Sequence, residues 1–116
     1  MKPRKHIKSK DELFKGVEVG KAMSHRCGSD SYGYWIAEVD KANGIIGVYT
    51  PEAHFEKSWA DGSMVPAAFS PCTAPDKYYK ASRGKWRRFN IDSQTLGECV
   101  TLYPTDTPCI YRDPSF

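Results

Sequence analysis

The sequence predicts a mainly β fold: a small antiparallel barrel, or a strongly twisted sheet packed on one short N-terminal helix. Three observations carry that expectation. Short aromatic and β-branched runs recur along the chain, eight Pro and nine Gly punctuate them, and a single short stretch carries a helix signature. At 116 residues the chain suits one domain that buries roughly 65% of its unfolded surface without staples. Residues 1–10 read as a flexible basic arm and 11–116 as a single β-rich domain.

The helix signature is Ser9-Lys10-Asp11-Glu12. Ser9 can cap an orphan amide while Glu12 reaches back to the cap residue's own N–H. Gly16 limits the helix to about one turn, and Leu13 and Phe14 are expected to pin it to the body. From Val17 the run "VEVGKAMSHRC" alternates loosely as a strand. "YGYWIAEVD" (32–40), the turn "KANG" and "IIGVYT" (45–50) form a hairpin, closed by Pro51, which cannot donate to a central ladder. Within it, alternation places Gly33, Trp35, Ala37 and Val39 on a core face, and Tyr32, Tyr34, Ile36, Glu38 and Asp40 on an amphipathic contact face.

"EAHFEKSWADGSMVPAAF" reads either as strand, Asp61-Gly62 turn and strand, or as a short helix over 52–59. "YYKASRG" and "KWRRFNID" are two strands around Ser82-Arg83-Gly84, and "GECVTLYP" (97–104) is a further strand. The tail "TDTPCIYRDPSF" is expected to be an irregular strap. Strands of this length and number suit an SH3-like or similar barrel.

No apolar run approaches the roughly 18 residues that span a bilayer. "MKPRKHIKSK" is followed by "DELFKG" rather than an apolar stretch, so neither secretion nor membrane association is expected and the location reads as cytoplasmic. Cys27, Cys72, Cys99 and Cys109 are then reduced thiols, and no C-x-x-C pair points to zinc or redox chemistry. His25 and Cys27 are two residues apart, and Glu52, His54 and Glu56 could share a strand face, but neither set completes a catalytic or metal constellation. With no P-loop, G-x-S-x-G or H-E-x-x-H, the expectation is no enzyme and no cofactor.

The net charge of +3 conceals two basic islands. Residues 1–10 hold five Lys or Arg and residues 77–88 hold six, all without an acid, while the remainder carries a balance of −8. In the second island Lys80, Arg83, Lys85, Arg87 and Arg88 are interleaved with Trp86 and other aromatics, the combination that meets phosphates and stacked bases. An edge hairpin whose cations discourage sheet-to-sheet association uses the same residues. An acidic protein surface is a third match.

The order Val17-Glu18-Val19-Gly20, the Ser29-Asp30 turn, "YWIAEVD" and "IIGVYT" is similar to SH3-like domains of the KOW and Tudor type. More closely, Gly28-Ser29-Asp30, Tyr34, Glu38-Val39, Asp61-Gly62 and Gly84-Lys85-Trp86 resemble a group of small bacteriophage proteins, over roughly residues 17 to 90. That resemblance implies a barrel-like fold and a phage origin, hence the cytoplasm of a bacterial host, and no activity. The function expected is an accessory protein that inhibits or modulates a host protein or nucleoprotein complex, such as a defence or transcription system. The alternative is direct DNA or RNA binding through 77–89 and the arm. Tyr32, Tyr34, Lys80, Arg83, Lys85, Trp86, Arg87 and Arg88 are the candidate contact residues.

Overall fold

The computed structural model describes residues 9–28, 30–55 and 63–111. The basic arm up to residue 8, the Asp61-Gly62 turn and the last five residues lie outside them. Helix α1 spans Lys10–Leu13 and carries the full capping box: Glu12 N–H donates to Ser9 Oγ at 3.2 Å, and Ser9 N–H to Glu12 Oε1 at 3.3 Å. Ser9 and Lys10 therefore belong to the helix rather than to the arm. Leu13 and Phe14 are buried, and the Phe14 ring meets Trp86 at 5.2 Å between centroids.

The rest is antiparallel sheet. Strands β1 (Ala22–Cys27), β2 (Asp30–Asp40), β3 (Ile45–Tyr49), β4 (Ala53–Phe55) and β5 (Ser63–Pro66) are followed by β6 (Lys77–Ser82), β7 (Lys85–Asn90), β8 (Thr95–Val100), β9 (Tyr103–Thr105) and β10 (Ile110–Tyr111). The expected β class holds, as an open sheet rather than a demonstrated barrel. Strand β2 is its hub: β1 pairs along residues 30–35, β3 along 35–40, and β10 at Ser31. From β3 the sheet continues through β6 and β7 to β8, and from β1 to β9.

Several sequence expectations change here. The first strand starts at Ala22 rather than Val17. The 97–104 strand divides at Thr101-Leu102, because Leu102 turns into the core and only the second part lies on β1. In the 52–69 stretch, Ala53–Phe55 and Ser63–Pro66 form an antiparallel strand pair, Ala53 opposite Pro66. Far from irregular throughout, the tail supplies β10, which bridges β5 and β2.

The largest correction concerns β2. Tyr34 and Ile36, expected on a contact face, are 6% and 0% exposed and belong to the main core with Met23, Ile46, Val48, Tyr79 and Trp86. Trp35 packs on the opposite face with Ala22 and Tyr49, and Phe69 covers that second cluster. Trp35 Nε1 donates to Ala67 O at 2.9 Å, and Ser70 N–H to the Tyr49 hydroxyl at 2.8 Å, so the crossing loop is pinned at both rings. The pairing with β3 slips between Ile36 and Glu38, leaving Ala37 as an inserted residue. Val39 thereby returns to the main core beside Ile36, not to the face of Trp35.

Candidate functional site

The turn of the β6–β7 hairpin is set by its register. Ser82 pairs with Lys85, leaving Arg83 and Gly84 as the two loop residues, with φ of 50° and 77°. Two positive φ values give the type I′ geometry, whose twist matches that of the strands. Gly84 is the residue such a turn prefers. Arg83 is not, because a Cβ in the left-handed region costs about 1–2 kcal/mol where Asn or Gly would relieve it.

Lys80 lies directly opposite Arg87, an arrangement that repels across strands. Alternation puts Lys80, Lys85 and Arg87 on the outer face with Tyr78 and Phe89, and Arg88 on the inner side opposite Tyr79. Arg87 Nε donates to Gly97 O at 2.8 Å, and Lys80 Nζ stands 5.3 Å from the Phe89 ring centroid. Among the described residues, ion pairs join Lys21 to Asp106, Lys41 to Asp11 and Lys77 to Asp76. None includes Lys80, Arg83, Lys85, Arg87 or Arg88. Among the described residues, these five cations of one hairpin have no acidic partner.

The aromatic part of the expected site is placed differently. Trp86 is 2% exposed and Phe89 is buried, so neither ring is offered for stacking. Tyr34 is also interior, which removes it as a contact residue, and Tyr32 is half-buried beside it. These two tyrosines sandwich a different group: the His25 ring lies 5.3 Å from Tyr32 and 5.9 Å from Tyr34, with Nε2 3.2 Å from the Tyr34 hydroxyl. Burial lowers the His25 pKa, since the imidazolium would lose hydration there. Burial likewise raises Tyr34 and, further, Tyr79, and the contact between the two phenols adds to the latter while Arg88 opposes it. His25 thus serves the tyrosine stack, while Cys27, two residues on, is exposed.

Next to the hairpin lies a shallow depression of about 550 Å³, lined by Lys77, Tyr78, Arg88, Phe89, Ile91 and Leu96 among others. Ile91 and Leu96 are 40% and 39% exposed. The sequence reading passed over them. Their one signal was a pair of large aliphatic residues either side of the polar turn "DSQT". No group of three or more His, Cys, Asp or Glu suited to a metal occurs among the described residues; Glu56 and the His54 side chain fall outside them. No described helix is long and apolar enough to cross a membrane. No protein-family model matches the chain, and no curated protein or solved structure matches it.

Proposed function

We propose that this chain is a non-enzymatic accessory protein of phage type. It binds an anionic surface on a host protein or nucleoprotein complex in the bacterial cytoplasm and modulates that complex. The observation that carries the reading is the set Lys80, Arg83, Lys85, Arg87 and Arg88, without acidic partners among the described residues, one of them held at a turn of positive φ. Uncompensated charge of one sign raises encounter rates with opposite charge. The motif resemblance around Gly28, Tyr34 and Gly84-Lys85-Trp86 supports the phage origin. An SH3-like barrel is supported by β8 and β9, which are separated by two residues and lie on β7 and β1.

Direct nucleic-acid binding is the second reading, favoured by the same unpaired cations. With Trp86 and Phe89 buried, it rests on phosphate contacts alone and predicts sequence-independent, salt-steep association. Capture from bacterial lysate, with and without nuclease, separates the readings when run beside a Lys80→Glu/Lys85→Glu variant. Nuclease-resistant capture of a protein that the variant loses is the expected result. Nuclease-sensitive capture transfers the function to the second reading. Capture indifferent to charge reversal overturns both.

A further inference from the structure

Strand β8 ends the sheet: among the described residues it pairs only with β7, and Thr95 to Cys99 are all exposed. Its outer ladder groups are therefore open to another strand. Natural edges are usually protected by Lys, Pro or burial. Here β8 holds neither Lys, Arg nor Pro, and Glu98 is its single charge. The slip in its pairing, between Arg87 and Phe89, sets Gly97 and Glu98 against the single residue Arg88, and no described element covers the far edge.

We propose that β8 accepts an extended acidic segment of the protein partner as an added strand. This rests on the anionic-partner reading above and specifies how that partner is held. The outer face of the edge is graded. Along β7, Lys85 and Arg87 precede Phe89; on β8, Cys99 lies opposite Arg87 and Leu96 opposite Phe89. A strand added about 4.8 Å beyond β8 brings alternate side chains within reach of this face. Carboxylates at its Cys99 end meet Arg87 and Lys85, and a large apolar side chain at its Leu96 end covers Leu96 and Ile91. Of the two acids at the depression, Asp76 is held by Lys77 Nζ at 3.3 Å and by the Thr50 amide at 2.9 Å, so it does not compete for the hairpin cations.

The test uses fluorescein-labelled peptides that alternate Glu or Asp with Thr and end in Leu or Phe. Each is measured by anisotropy against the intact protein, beside the same peptide N-methylated at alternate residues. N-methylation keeps every charge and side chain but removes the main-chain donors. Losing two or three ladder bonds of about 1 kcal/mol each predicts a roughly 30- to 150-fold weaker complex. Amide exchange of Thr95 to Val100 is expected to slow when the unmethylated peptide binds, and Leu96→Ser to weaken binding several-fold. Equal binding of both peptides, or unchanged exchange in β8, overturns strand addition while leaving the cationic-hairpin reading intact. Peptide binding unaffected by Lys80→Glu/Lys85→Glu overturns the charge reading instead. Concentration-dependent dimerisation that protects β8 without peptide assigns the edge to a second copy and also overturns the proposal.

Discussion

Gly33 sits where the C-terminal strap crosses β2, and replacing it with Ala is a measurement of how firmly that strap is fixed. An added Cβ would lie 2.6 Å from Cys109 N, 2.6 Å from Pro108 Cβ and 2.7 Å from Pro108 Cα. Two of those atoms are backbone, so no side-chain rotation relieves the overlap. The strap cannot lift freely either. Cys109 N–H donates to Ser24 Oγ at 3.0 Å, and Ser24, fully buried, also bonds the Thr105 hydroxyl at 3.0 Å. Just beyond, Ile110 and Tyr111 are in ladder with β5 and β2. Overpacking costs about 1–3 kcal/mol and one buried bond lost adds about 1 kcal/mol, less the few tenths returned by a stiffer unfolded chain. A net loss of about 2–3 kcal/mol lowers the melting temperature of a domain this size by roughly 10 °C. Circular-dichroism melts and urea titrations read it directly. In a Ser24→Ala background, where the strap has already lost its anchor, the same substitution should cost about 1 kcal/mol less. Additive effects, or a Gly33→Ala protein that melts with the parent, would refute the picture of a clamped strap.

Other substitutions probe other parts. Arg83→Asn should raise stability by roughly 0.5–1 kcal/mol in urea titration, since Asn tolerates the turn's φ of 50°, while weakening partner capture. Trp86→Ala should cost about 3–5 kcal/mol and abolish cooperative melting, whereas Lys85→Ala, on the exposed face, should stay within about 0.5 kcal/mol of the parent. His25 has a folded pKa below its unfolded value of about 6.5. Its contribution is complete above that value and declines as pH falls toward the lowered folded one. Melts between pH 7 and pH 5 should thus show a drop that His25→Gln lacks.

What the sequence made legible was local. The capping box needs only Ser9 and Glu12, and the 32–50 and 77–89 hairpins need only their own turns and alternation. The misread features all depend on distant partners. Alternation assumes that one face of a strand is wet, but Phe69, more than thirty residues away, covers Trp35 and makes both faces of β2 interior. The strand at Ile110 exists because β5 and Ser31 flank it, and nothing in "TPCIYR" announces either neighbour. For the candidate site, composition located the cluster of cations that lies on the β6–β7 hairpin. It could not separate Trp86 from them, because Phe14, at the end of a helix some seventy residues earlier, packs against that ring in the core.

Ala37 gives β2 a property its sequence hides. The strand is two phased segments joined by a one-residue spacer: Ile36 stays opposite Val48 and Glu38 opposite Gly47 whether or not the spacer is there. Removing Ala37 alone should leave both registers in place and cost chiefly local twist. Removing Ile36 instead would keep the same register but leave Ala37 in its buried place opposite Val48, and removing Val39 would move Glu38 or Asp40 to the core position opposite Ile46. The hub strand should therefore tolerate a shortened chain at one position and at neither of the core positions flanking it.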